Sequence, residues 1–241
     1  MSLGTGFPGP KRTLVGCPDF AFSAILGAMH DILLVDKPQG PTSSRVVELI
    51  RRKLKVRAGH TGTLDPLATG LLVVLTGKGT KEASSFLNLD KSYEVKATLG
   101  VETDTYDRQG RVLRRNDREV TRHEMEEVLK EFYGDIWQVP PPFSAKRIQG
   151  RKAYELARRG VSVEMAPQKV SIHFLELGEF QFPSFNLACD VSSGFYVRSL
   201  VHDVGERLRT GAMVAEVRRT RVGPYRVEQA RPLEQILSEN G

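Results

Sequence analysis

Leu71-Leu-Val-Val-Leu75 is apolar at five successive positions and Ile32-Leu-Leu-Val35 at four. Both runs fall far short of the roughly 20 residues that span a bilayer. Neither alternates with polar residues, so each predicts a strand buried inside a sheet. Such strands need helices to cover them, and the helices are legible. Thr42, Ser43 and Ser44 offer capping oxygens ahead of Val46, Val47, Ile50 and Leu54, which share one helical face. Thr121-Arg-His-Glu124 is a capping box before Met125, Val128, Leu129 and Phe132, predicting a helix that ends near Gly134. Val197, Leu200, Val201, Val204 and Leu208 mark a further helix, with Gly211 just past its end. Period-two patterns at Tyr93, Val95, Ala97 and Leu99, and at Phe185, Leu187, Cys189 and Val191, predict half-buried strands. Ser171 to Leu177 and Val214 to Val227 read as two more. Strands and helices do not alternate strictly, so the predicted class is α+β, with a mixed, largely antiparallel central sheet flanked by helices.

The 241 residues suffice for one large domain or for a core with an appendage. Cys17 and Cys189 form no Cys-x-x-Cys pair, which excludes a disulfide scaffold and argues against zinc or redox chemistry. The five histidines, His30, His60, His123, His173 and His202, lack ligand spacing, so no metal site is expected. Met29 directly precedes the first strand. Residues 1–28, rich in Gly and Pro, therefore read as an N-terminal extension, flexible or foreign to the native chain, ahead of a folded body at 29–241. Lys11-Arg12 before the apolar Ala21 to Met29 raises a signal peptide, but Pro18 and Asp19 interrupt it and no Ala-x-Ala site follows. A cytoplasmic protein is expected.

The net charge is +6, from 35 basic and 29 acidic residues. Much of the excess lies in two clusters. Arg45, Arg51, Arg52, Lys53, Lys55 and Arg57 surround the first helix with Glu48 alone among them, a pattern that fits a solvated face and a polyanion-facing one equally. Lys146, Arg147, Arg151, Lys152, Arg158 and Arg159 follow Pro140-Pro-Pro142, in a segment that predicts a loop and then a short helix around Arg151 to Arg159. Gly77-Lys-Gly-Thr-Lys81 is not a P-loop, since Gly79 and Leu72 stand where that motif needs Ser or Thr and Gly.

Between the basic helix and the buried strand lies Gly59-His-Thr-Gly-Thr-Leu-Asp-Pro-Leu-Ala-Thr-Gly70. Its glycines let backbone approach a ligand, and Pro66 stiffens the chain next to the Asp65 carboxylate. The competing reading is an N-cap aspartate with Pro at the first helical position.

This run resembles the catalytic signature of the TruB family of tRNA pseudouridine synthases, which isomerise uridine 55 in the T-loop. The resemblance extends to Leu34-Val-Asp-Lys-Pro-Gln-Gly40, Lys91-Ser-Tyr93, Gly100 to Asp107, Pro141-Pro-Phe-Ser-Ala-Lys146, Gly150 to Arg158 and Ser193-Gly-Phe-Tyr-Val-Arg-Ser199, in the family's order, covering about residues 29–230. It implies the pseudouridine synthase fold, with Asp65 as the essential catalytic carboxylate, Arg198 pairing with it, and Tyr93 stacking on the flipped base. His60 would help displace that base, Tyr196 would line the pocket, and Val217 matches an apolar pocket position. Lys37, Lys81, Lys146, Arg147, Arg151 and Arg158 fall in segments that the resemblance places near RNA, and residues 141–167 match a thumb-like insertion that clamps the stem-loop. The implied partner is tRNA through its T-stem-loop, bound by a monomer with no membrane, metal or cofactor. Flipping a base out of a folded loop costs a few kcal/mol, which stacking surfaces must offset.

Three departures accompany the resemblance. The chain leaves no room for a full C-terminal PUA-type domain, Phe143 stands where the family often has Tyr, and residues 1–28 have no counterpart. Two other readings share the motif: a tRNA-folding RNA-binding protein with secondary catalysis, and a guide-RNA-dependent subunit resembling dyskerin.

Overall fold

The computed structural model describes residues 32–144, 146–148, 151–152 and 165–239. The extension expected at 1–28 and most of the insertion expected at 141–167, Arg158 included, lie outside them. The strands are β1 (Ile32–Lys37), β2 (Ala58–His60), β3 (Thr69–Thr76), β4 (Lys91–Leu99), β5 (Val101–Thr103), β6 (Val112–Arg115), β7 (Gly134–Gln138), β8 (Arg147–Ile148), β9 (Arg151–Lys152), β10 (Gln168–Gln181), β11 (Ser184–Val191), β12 (Ala212–Val222), β13 (Tyr225–Arg226) and β14 (Arg231–Pro232). The helices are α1 (Ser43–Leu54), α2 (Ala83–Leu87), α3 (Arg122–Lys130), α4 (Val197–Arg207) and α5 (Leu233–Ser238).

Ten strands build one sheet in the order β14-β1-β3-β12-β4-β11-β10-β7, with β2 also paired to β3 and β13 to β12. The β1–β14 and β3–β12 pairs run parallel; β1–β3, β4–β12, β4–β11, β10–β11 and β7–β10 run antiparallel. The mixed, mainly antiparallel α+β sheet read from the sequence is therefore the observed one. In chain order β12 arrives late, yet it lies between β3 and β4.

The unbroken apolar run of β3 is explained by burial on both faces. Leu72 and Val74 join Val46, Val47 and Ile50 of α1 and Leu233 and Ile236 of α5 in one cluster. Leu71, Val73 and Leu75 point the other way, to Phe86, Val222 and Val227. Farther along the sheet, Val95, Ala97 and Leu99 pack with Phe185, Leu187 and Cys189 against Met125 and Leu129 of α3 and Leu200, Val201 and Val204 of α4. Two groups of helices thus cover one face, and Tyr93 and Val217 pack against both clusters, at the seam between them. Cys189 is a core thiol, 1% exposed, which burial pushes up to about 12.

Both predicted caps form: the Thr42 hydroxyl accepts from Arg45 N at 3.1 Å, and Thr121 and Glu124 close the capping box of α3. That helix stops at Lys130, short of Gly134, which instead opens β7 with φ 89°. Arg151 and Lys152, expected to begin a helix, are extended and pair with Arg147 and Ile148 in a hairpin.

Asp203 of α4 is largely buried, and burial raises its carboxyl to about 6, Glu206 adding to the shift and Arg207 opposing it. A folded-state value above the ordinary value near 4 means that stability is lost as pH rises from about 4 through about 6. Asp203→Asn is accordingly expected to raise the melting temperature at pH 7.5 and to leave it nearly unchanged at pH 4, measured by thermal denaturation against the unsubstituted protein.

Candidate active site

The loop from Thr61 to Ala68 lies across that seam. Leu64 and Ala68 are buried in the α1 cluster and Leu67 in the α4 cluster, so three apolar side chains anchor the loop from below. Its backbone is held with equal care. Ser43 Oγ donates to Leu64 O and accepts from Leu64 N, both at 2.8 Å. Gly40 N donates to Pro66 O at 2.8 Å, and Ala68 N closes a turn onto Asp65 O at 3.0 Å. Arg219 Nε donates to Leu71 O at 2.8 Å and its Nη2 to Gly62 O at 3.2 Å, grasping both rims. No helix follows Pro66, which removes the N-cap reading of Asp65.

With the backbone fixed, the Asp65 side chain stays 44% exposed, and its Oδ2 lies 2.8 Å from Arg198 Nη2. Arg198, on the first turn of α4, is itself buried. The same guanidinium donates to Phe143 O and to Thr105 O, each at 2.8 Å, and lies 3.7 Å from the buried Asp107 carboxylate. Asp107 in turn accepts from the Thr105 hydroxyl at 2.7 Å and from Gln109 N at 3.0 Å. One planar fork therefore joins the Asp65 loop, the turn after β5 and the start of the insertion. Charge-assisted bonds from one rigid guanidinium fix geometry as well as energy.

Tyr93 is held above its ordinary acidity range by burial, with the Arg219 guanidinium facing it in opposition. Tyr196 precedes α4 with its backbone clamped by Gln138, which accepts from Tyr196 N at 2.8 Å and donates to its carbonyl at 3.0 Å. Burial also raises the Tyr196 phenol, while Ser144 and Arg198 pull the other way. His60 ends β2, half-buried, five residues before Asp65. Asp65, Arg198, Tyr93, Tyr196 and Val217 are thus gathered around the seam.

The cationic residues assigned to RNA divide. Lys37 faces inward and is fully buried, its ammonium donating to Ala68 O at 2.7 Å and Pro38 O at 2.9 Å, so it braces the loop rather than meeting a ligand. Burial lowers it to about 8, with Asp65 opposing and Arg219 adding. Lys81 is exposed beyond the far end of β3, about 20 Å from the Asp65 loop at strand spacing, and is not brought to the site. Lys146 donates to Gln168 at 3.0 Å at the base of β10. Arg147 and Arg151 lie on the β8–β9 hairpin. Sequence reasoning missed Ser43, Asp107 and Arg219. Ser43 was one of three cap candidates and Asp107 closes the Gly100 to Asp107 block of the resemblance; Arg219 acts through contacts made between distant segments.

Residues 51–197 match the model of the TruB family pseudouridylate synthase N-terminal domain, and residues 198–240 that of the tRNA pseudouridylate synthase B C-terminal domain. Similar relatives include tRNA pseudouridine synthase B of Aquifex aeolicus, 47% identical over 213 residues, covering 87% of this chain and 74% of that protein. The enzyme of the same name from Protochlamydia amoebophila is 43% identical over 220 residues, covering 90% and 84%. Among solved structures, a Cbf5-Nop10-Gar1 complex contains a chain that superimposes with a TM-score of 0.67 at 30% identity, over 84% of this chain and 52% of that one. The chain thus spans about half the length of this structural neighbour.

Ser43→Ala would leave a buried amide and carbonyl of Leu64 without their partner, a cost of about 1–3 kcal/mol. A lowered unfolding free energy in urea, with the loss confined to this order, is the expected result.

Proposed function

The chain belongs to the TruB family of pseudouridine synthases, and from that premise we propose that it converts uridine 55 in the T-loop of tRNA to pseudouridine at Asp65. The observation that carries this reading is the half-exposed Asp65 carboxylate, fixed 2.8 Å from a buried Arg198 beside Tyr93 and Val217. The reaction breaks the bond from N1 to C1′ and forms one from C5 to C1′; C5 loses its hydrogen and N1 gains one, so nothing enters or leaves overall. Such an isomerisation calls for no cofactor or metal.

The uracil must leave the folded loop before the carboxylate can reach it, and apolar and aromatic surfaces offset the lost stacking. Tyr93 and Val217 supply that surface at the seam, Tyr196 borders it, and His60 enters the loop where the displaced base would be replaced. Arg198 holds Asp65 in one orientation through both steps. A carboxylate at this point serves either as nucleophile or as the base for a ribose proton.

Lys146, Arg147, Arg151 and Arg158 belong to the segment 141–167 that we assign as the RNA-clamping thumb. Its phosphate contacts make affinity fall as salt rises. Among the described residues no helix is long and apolar enough to cross a membrane. The proposed enzyme acts as a cytoplasmic monomer on the T-stem-loop.

Tritium release from tRNA labelled at C5 of uridine tests the reading. The protein alone should release tritium, and Asp65→Ala should abolish release while tRNA binding changes by less than about 3-fold, since phosphate contacts dominate affinity. Binding without release by the unsubstituted protein refutes the enzyme assignment and favours the tRNA-folding reading. Release only after guide RNA and partner proteins are added favours the guide-dependent one.

A further inference from the structure

A buried guanidinium is costly unless an anion or a full set of acceptors compensates it. Arg219 is 2% exposed, and among the described residues it enters no ion pair; its side chain donates to the carbonyls of Leu71 and Gly62 and meets the Tyr93 hydroxyl. Its charge is felt nearby. Lys91, lowered to about 8 chiefly by burial, is pushed further down by Arg219, and Lys37 experiences the same field. Three cations thus share one buried region, an arrangement that a neutral amide bonding the same two carbonyls would avoid.

The register shows where the charge is directed. Arg219 lies opposite Tyr93 across the β12–β4 ladder and opposite Gly70 across β12–β3. Gly70 permits the second approach, because a Cβ there would meet Arg219 O at 2.3 Å. The guanidinium therefore touches both ends of the Asp65 loop while facing the Tyr93 phenol. An arginine N–H can only donate, whereas a phenol oxygen both accepts and donates. Donation from Arg219 to that oxygen turns the phenolic proton away from Arg219.

We propose that Arg219 is a positioning residue for the isomerisation, setting the orientation of the Tyr93 hydroxyl and the placement of the Asp65 loop relative to it. The inference rests on the proposed reaction and adds a residue to it. Arg198 fixes the carboxylate from the α4 side; Arg219 fixes the tyrosine and the loop rims from the sheet side. The reacting base then meets two groups whose separation is set by rigid strands.

The test compares Arg219→Gln, Arg219→Lys and Tyr93→Phe, alone and combined, by single-turnover tritium release at saturating tRNA, by tRNA binding, and by NMR of protein labelled with 13C at tyrosine Cζ. Arg219→Gln should slow turnover by about 10²-fold, the lower scale of a positioned acid–base group, with tRNA affinity within about 3-fold. Arg219→Lys keeps the charge but loses the fork, and should fall about 10-fold short of the unsubstituted rate. In the Tyr93→Phe background either change should cost less than about 3-fold, because groups acting as a unit are not additive. The Tyr93 resonance, assigned by its loss in Tyr93→Phe, should move in both Arg219 variants.

Losses that multiply with Tyr93→Phe, or a Tyr93 resonance that stays in place, overturn the proposal. If Arg219→Gln does not fold, Arg219→Lys decides alone, and a rate equal to that of the unsubstituted protein is the adverse outcome. The resonance reports without turnover, so absence of tritium release from the unsubstituted protein would defeat the reaction and leave the geometric claim separately decided.

Discussion

Arg198 is the interaction around which the site is organised. Its fork reaches a side chain in one loop, carbonyls in two others and a second carboxylate at 3.7 Å, from a helix packed into the core. Removing a charge from water is repaid only when its donors are fully engaged. The burial of Arg198 therefore requires the three segments to arrive together, and their arrival fixes Asp65. Structure and chemistry are coupled at one guanidinium.

That coupling works because the sheet supplies a rigid frame. The Asp65 loop sits on the line where two helix groups meet, anchored into both clusters by Leu64, Leu67 and Ala68. Lys37 and Ser43 bond its backbone from β1 and α1, and Arg219 from β12. A loop on a surface is ordinarily mobile. Here backbone groups of Thr61, Gly62, Leu64, Asp65, Pro66 and Ala68 are engaged, and the loop is held at points along its whole length.

Much of this was legible in the residues. The unbroken Leu71 to Leu75 run, the Thr121 capping box and the alternation of Tyr93 to Leu99 each predicted the element found, because each signal is local. The twelve-residue loop declared its importance through its glycines and Pro66. Lys37 was placed near RNA by the resemblance, and its full burial depends on Ala68 O, 31 residues away. Lys81 was placed near RNA by the resemblance, whereas the length of β3 carries it away from the Asp65 loop. Arg219 looked like one basic residue among several on β12; its partners at Gly62 and Leu71 exist only once β12 lies beside β3. β7 escaped because its exposed Asp135 and Trp137 leave little apolar pattern.

The position of β12 has a consequence for how the chain is made. Because β12 separates β3 from β4, the N-terminal two hundred residues cannot close their own sheet; the gap waits for the segment Ala212–Val222. Contacts of such long sequence separation form late and slowly. On the ribosome, the strand that brings Val217 and Arg219 emerges only after both of its sheet neighbours, so a nascent chain that lacks it has the Asp65 motif without its floor. Competence thereby waits on β12.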